Sequence, residues 1–305
     1  MARQRRRGAP RESGERKQIV SDFEKSVFVD RDRREVSICG RSYPVLEGKT
    51  QIGGLDYWVL GNVRSGNIDV STDDENVLFD TSCTKVGDVE CGGRVVFLGG
   101  NVEAKSVVAH QAVLAYGKLS VEGPVISYDE DVQVLGDVSA LSIAAEDNVK
   151  VLMGSLKAET VRSHSGSIMA QKGDVVGNSI IALKGVSVMG GRIVNSPDVP
   201  QESCSIWAPE GDVFATNGIK TGRFWAGGKV MTSWGDLEIT GDSFCLGGDV
   251  RGGVQKPDSA RIYSVGGVKY SGGAIPAVPA EKWPYDQEFD FSKNWEASKG
   301  PGKMR

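Results

Sequence analysis

The sequence predicts an all-β fold, a single-stranded parallel β-helix with about 18–19 residues per coil. Three observations carry this. Glycine-led lines recur, starting at Gly100, Gly117, Gly136, Gly154, Gly173, Gly191 and Gly211, at intervals of 17, 19, 18, 19, 18 and 20 residues. Within a line the aliphatic residues alternate with polar ones at period two, as Val138, Ala140, Ile143 and Ala145 do before Val149 and Val151, the pattern of a strand with one face buried. No line sustains the i, i+3, i+4, i+7 spacing of an amphipathic helix. A near-constant period of this size is the mark of a solenoid. Three short strands and three corners fill each line, and about ten coils at the ~4.8 Å strand spacing make a rod of roughly 45–50 Å.

The elements follow in order. Residues 1–18 hold no apolar periodicity and read as a disordered basic tail; Met1–Lys17 carries seven Lys/Arg against two Glu. Residues 19–60 hold short apolar runs around polar turns, such as SVFVDRDRREVSICG and LDYWVLG, and read as a β-rich cap. A bare first coil would present an unpaired strand edge, which terminal repeats cover. The solenoid spans 61–273, with line breaks also at Gly61, Gly87, Gly235 and Gly248. A GDV triplet at Gly136, Gly173, Gly211 and Gly248 recurs every 37, 38 and 37 residues, read as two lines each time. Small residues at one line position, Ala104, Val121, Ala140 and Ala158, suit a narrow core. Regularity fades after Gly191: Asn195–Ser203 carries two prolines and reads as a loop pushed out at a corner. Nearby Trp207, Phe214, Phe224, Trp225 and Trp234 either fill a wider coil or form an exposed aromatic patch. Residues 274–305 form an extended tail, with Pro276, Pro279 and Pro284. Its Trp283, Tyr285, Phe289, Phe291 and Trp295 make it too apolar to be idle, so it either folds back on the last coil or docks on a neighbour.

Bulk properties exclude several classes. The chain holds 305 residues with 40 glycines and a net charge of −4, so it is not broadly basic and does not suggest a dedicated nucleic-acid binder. No apolar run approaches the ~18–20 residues of a membrane span. The arginine-rich start is not followed by the apolar stretch of a secretory signal. The five cysteines, Cys39, Cys83, Cys91, Cys204 and Cys245, lack metal-ligand spacing and read as small buried hydrophobes in a reducing compartment. The expected location is the cytoplasm, or a virion if the chain is viral.

Candidates for chemistry are sparse. His110 and His164 fall at the same line position but three coils apart, about 14 Å at the strand spacing, too far to share a metal or a proton. Asp129, Glu130 and Asp131 lie one coil from Glu146 and Asp147. Acids on adjacent coils suit a cation or a glycosidic acid–base pair, yet solenoid corners are polar for solvation alone. The glycine-rich stretches lack the helix that a phosphate loop needs. Neither catalysis nor a cofactor is expected.

The line GDVSALSIAAEDNVKVL resembles the repeats of bactofilins and related polymer-forming β-solenoid proteins. That resemblance covers roughly residues 61–267 and implies a non-enzymatic subunit that joins end to end. The longer core, the β-rich cap and the aromatic tail depart from the bactofilin pattern. Structural β-helices of bacteriophage virions are a second resemblance. The function expected is a structural rod that assembles with copies of itself or with other subunits. Its contacts would lie at Arg5, Arg6 and Arg7, at Trp225 and Trp234, and at Trp283, Tyr285, Phe289, Phe291 and Trp295. The basic start offers at most a weak, phosphate-driven contact with nucleic acid or another anionic surface. The alternative is a sugar- or envelope-directed enzyme, an acyltransferase or a polysaccharide-cleaving β-helix using the acids above. Strict hexapeptide spacing, the signature of the acyltransferase type, is not kept.

Overall fold

A computed structural model describes residues 55–61, 67–70, 75–195, 205–256 and 258–264. It adds the backbone of the strands Gln18–Val20, Ser26–Asp30, Glu35–Ile38, Arg41–Pro44, Lys49–Ile52, Val268–Tyr270 and Gly273–Ile275. Residues 1–17, 196–204 and 276–305 lie outside the described residues. Arg5, Arg6, Arg7, Trp283, Tyr285, Phe289, Phe291 and Trp295 therefore lie outside them too.

Each coil lays one strand on each of three faces, all parallel to the strands of the coils before and after. In one coil the first face is Lys118–Val121, the second Pro124–Ser127 and the third Val132–Val134. The next coil runs its first two faces together as Val138–Ala145 and places Val149–Val151 on the third. No described residue is helical, and no helix there is long and apolar enough to cross a membrane. The parallel β-solenoid read from the sequence is the fold.

Register makes the core. On the first face Val102, Leu119, Val138, Leu156 and Val175 stack in one column. On the second, Val107, Val125, Ile143, Val161 and Ile180 do the same. All of them are buried. Each such side chain taken out of water contributes about 1.5–3 kcal/mol, most of it realised only when the neighbouring coil is present. The narrow position read from the sequence is also real: Ala104 pairs with Val121, and Ala140 with Ala158.

A second small column accounts for Cys91 and Cys245. Cys91, Ala109, Ser127, Ala145 and Ser163 follow one another at the end of the second face, and Ala226, Cys245 and Ser264 continue it near the far end. The corner here admits only a small side chain, and a hydroxyl or thiol in it can reach a corner carbonyl. Cys91 Sγ donates to the Glu75 carbonyl and Cys245 Sγ to that of Gly228, both at 3.0 Å; Ser264 Oγ donates to Gly248 at 2.8 Å. Burial pushes the Cys91 thiol from 9.0 up to about 12. Because the thiolate is the reactive form, Cys91 and Cys245 are expected to resist a disulfide-exchange reagent at pH 8 until the chain unfolds. Mass-spectrometric mapping of labelled thiols checks this. The linkage has a definite sign. The unfolded chain loses the Cys91 proton near 9 and the folded one near 12, so stability falls as pH rises between those values and is untouched below them.

Corners follow their own rule. Asp137 Oδ1 accepts the Ser155 N–H at 2.9 Å, Asp174 Oδ1 that of Arg192 at 2.8 Å, and Asp212 Oδ1 that of Lys229 at 2.6 Å. In three of the four GDV triplets the aspartate thus caps a backbone donor of the next coil, while Asp249 accepts from Arg251 Nε at 2.9 Å. Asp137→Ala is expected to cost about 1 kcal/mol, the worth of one hydrogen bond to a charged acceptor at an exposed site, and Asp137→Asn clearly less. Urea titration of the two variants checks it.

The triplets do not all mark the same corner, which corrects the two-line reading of their spacing. Val138 and Val175 open the first face, but Val213 and Val250 sit on the third. After Ile193 the next first-face residue is Ile219. That coil takes 26 residues, against 17 to 19 in the earlier ones, and every later glycine is shifted out of phase; the loop read at Asn195–Ser203 falls almost wholly outside the described residues. A glycine followed by a capping aspartate suits any corner that enters a strand, so the same triplet reappears at a different one.

The two ends of the third face are built alike. At the start Lys49–Ile52 pairs antiparallel with Leu55–Leu60, which already pairs parallel with Asn76–Phe79, so the parallel stack begins at Leu55, ahead of the line break at Gly61. At the finish Gly273–Ile275 pairs antiparallel with Val268–Tyr270. Gln18–Val20, Ser26–Asp30, Glu35–Ile38 and Arg41–Pro44 form a separate four-stranded antiparallel sheet.

Candidate interaction surface

Most of the polar residues singled out for chemistry are engaged with neighbouring coils, Asp129 being exposed. His110, Tyr128, Glu146 and His164 succeed one another at the corner after the second face, each N–H reaching back to the coil before. The His110 ring lies 5.4 Å from that of Tyr128, and His164 Nδ1 lies 2.9 Å from Glu146 Oε2. The two histidines are therefore separated along the axis and face different partners. Glu130 holds Arg94 at 2.8 Å. Asp131 pairs with Lys150 and accepts from the Asn148 backbone at 2.8 Å and its side-chain amide at 2.9 Å. Burial raises the Asp131 carboxyl, but the bonds from Lys150 and Asn148 outweigh it and hold the group below its ordinary value. Asp147 Oδ1 accepts from Ser165 Oγ at 2.9 Å. A general acid needs a raised carboxyl and a base needs an open one, and Asp131 is neither. Among the described residues no three His, Cys, Asp or Glu side chains come together to hold a metal ion.

The aromatic residues grouped by the sequence part company. Phe224 alone enters the core, where it is fully buried. Phe214 stands outward on the third face between Ser187 and Met231. Trp207 and Trp225 stand outward on the second face, half-buried, their ring centroids 5.7 Å apart and 19° from parallel. Their column continues to Phe244, 5.0 Å from Trp225, and on to Tyr263, stacked 4.8 Å from Phe244. Trp234 is 86% exposed at another corner.

That other corner carries a feature the sequence reading missed. Leu98, Tyr116, Leu135, Leu152, Gln171 and Met189 each follow the third-face strand and each bond back to the preceding coil. All but Gln171 are apolar, and Tyr116 and Met189 are 58% and 64% exposed. Met153 beside Leu152 is exposed as well, and Trp234 stands at the same corner beyond Met189. Five coil steps at the strand spacing make this ridge about 24 Å long. A solvated corner has no need of such residues, and apolar side chains aligned in this way, broken only at Gln171, make a candidate contact strip. The signal was present as the residue standing one or two places before each line's glycine.

Compared with protein-family models, with curated proteins and with solved structures, the chain finds no match.

Proposed function

We propose that this protein is a non-enzymatic structural subunit, a β-solenoid rod that packs sideways against copies of itself or against other components of a larger particle or scaffold. The observation that supports it is the exposed ridge of Leu98, Tyr116, Leu135 and Met189 along one corner of the shaft. The polar corners, by contrast, spend their acids and histidines on neighbouring coils. A virion component or a bactofilin-like scaffold are the settings such a rod would serve. End-to-end joining is the less favoured mode, because an antiparallel strand stands at each end of the third face where the next parallel coil would have to continue.

Negative-stain microscopy and light scattering of the full chain test this. The expected result is side-by-side bundles or closed oligomers that dissociate in a Tyr116→Glu, Met189→Glu variant whose melting temperature is unchanged. A wild-type chain that stays monomeric at every concentration, or that cleaves a glycan in a manner abolished by Asp131→Asn, would overturn the proposal.

A further inference from the structure

The corner ridge runs Leu98, Tyr116, Leu135, Leu152, Gln171 and Met189 over six successive coils, and none of the six is buried. Two further columns flank it on the same coils. On one side, past the glycines, stand Asn101, Lys118, Asp137, Ser155, Asp174 and Arg192 at the opening of the first face. On the other stand Leu114, Gln133, Lys150 and Met169, outward on the third face. Height varies along the strip as well. Between ridge and charged column the coils of Tyr116 and Leu135 carry only Gly117 and Gly136, whereas those of Leu152 and Gln171 carry Met153 and Lys172 besides a glycine.

Two copies that meet on this ridge about a two-fold axis lying across the shaft run antiparallel, and each column faces the same column of the other copy in reverse order. Centred between Leu135 and Leu152, the ridges overlap on all six coils. Leu98 then faces Met189 and Leu135 faces Leu152. Gln171, the polar member of the ridge, faces Tyr116, its one hydroxyl. The same centring sets Lys118 against Asp174, Asp137 against Ser155 and Asn101 against Arg192. Asp174 holds Arg192 of its own copy at 3.1 Å, and a carboxylate accepts more than one donor. On the third-face side Leu114 meets Met169 and Gln133 meets Lys150. Raised coils also meet flat ones, Met153 opposite Gly136 and Lys172 opposite Gly117.

Other alignments lose this fit. A slip of one coil in one direction puts Asp137 on Asp137 of the other copy. The opposite slip puts Lys118 on Arg192 and Asp137 on Asp174, and like charges in contact repel. With the shafts parallel, Gln171 would face Gln171 and the charged columns would lie on opposite sides of the contact.

We infer that the ridge binds one second copy of this chain, antiparallel and centred between Leu135 and Leu152, as a closed two-fold dimer. The inference rests on the ridge being the association surface, as proposed above, and adds the partner, the direction and the register. The strip is about 24 Å long and about 14 Å wide, small for a specific interface, so the dimer forms reversibly with concentration.

Carbodiimide cross-linking of an equal mixture of unlabelled and isotope-labelled full chain, read by mass spectrometry, tests it. The expected product is a Lys118–Asp174 amide that joins one heavy and one light peptide. Within one copy these residues are three coils apart, about 14 Å, too far for a bond without a spacer. In sedimentation equilibrium Lys118→Glu, at an exposed position, is expected to weaken the dimer at least tenfold with its melting temperature unchanged, because symmetry makes the contact twice. Adding Asp174→Lys to it should recover most of that loss. A wild-type dimer that Tyr116→Glu, Met189→Glu dissociates but that gives no mixed Lys118–Asp174 link would overturn the antiparallel register and leave the assembly role standing. Unchanged affinity in Lys118→Glu would do the same. A wild-type chain monomeric at every concentration would overturn both.

Discussion

Replacing Gly191 with alanine is expected to lower stability by about 3 kcal/mol, the range of a substitution that forces packed backbone apart. The glycines that open the first face, Gly117, Gly136, Gly154, Gly173 and Gly191, sit directly on one another, coil above coil. A Cβ at Gly191 would lie 2.1 Å from the Gly173 carbonyl oxygen and 2.3 Å from its carbon. Real side chains do not approach within 3.0 Å, and here the obstacle is the backbone of the preceding coil at Gly173 and Asp174, with no flexible tip to swing away. The coils would have to separate at this corner, stretching the ladder that holds them. Gly100 is the internal control. It heads the same column, yet a Cβ there meets nothing within 4 Å. Gly100→Ala is expected to be neutral or to stabilise by a few tenths of a kcal/mol, because alanine restricts the unfolded chain. Thermal melts of the two variants give the comparison, and equal losses would sink the explanation of the glycine period.

Phe97→Ala is expected to cost about 3–5 kcal/mol, the usual result of emptying a phenylalanine site in a core. Phe79 and Phe97 stack inside the shaft with centroids 4.7 Å apart and planes 14° from parallel, and both are fully buried. Both rings lie in the one core that the three faces share, so collapse into the space would need those faces to move together. The loss should also be local in a way that a compact globule's is not. Coils touch only their neighbours, and stability is passed along the axis as interface terms. Hydrogen exchange should therefore show the strands Asn76–Phe79 and Val95–Phe97 opening first in the variant. The strands Leu156–Ser163 and Ser179–Ala182 should keep wild-type protection. Uniform loss along the chain would show a single cooperative unit and contradict this account.

The architecture was legible because its cause is local and repeated. Period-two alternation in Val138–Ala145 and the glycine interval each follow from one coil meeting the next, and six such meetings in a row leave little room for another reading. The GDV triplets at Gly211 and Gly248 show where that logic stops. A sequence match reports that the same local solution was used, a tight corner with a capping carboxylate, and not which corner uses it. Once the coil between Ile193 and Ile219 took more residues than the others, counting from glycine to glycine lost its phase. The same slip hid the ring column. Trp207 stands 26 residues after Ile181, its neighbour in the column, whereas the later rungs are spaced 18 or 19 apart. The corner ridge stayed hidden for a different reason. Leu98, Tyr116, Leu135 and Met189 do not share one residue type and meet only in the stacking direction, which no window along the sequence samples. The acids around Glu130 and Glu146 were found as a cluster, but whether a carboxylate is open or already bonded is decided by residues such as Arg94, 36 positions away from Glu130.

In-register columns carry a consequence for size. Because Val138, Leu156 and Val175 occupy one position of the cross-section, removing a whole line such as Gly154–Lys172 would bring every remaining side chain onto an equivalent neighbour. Removing part of a line would turn core residues outward. Evolution can therefore lengthen or shorten this shaft only in whole coils, each worth about 4.8 Å. The antiparallel strands that bracket the third face stop the count at both ends. The molecule is a ruler whose graduations are written in the chain and whose length a lineage resets by duplicating or losing one mark at a time.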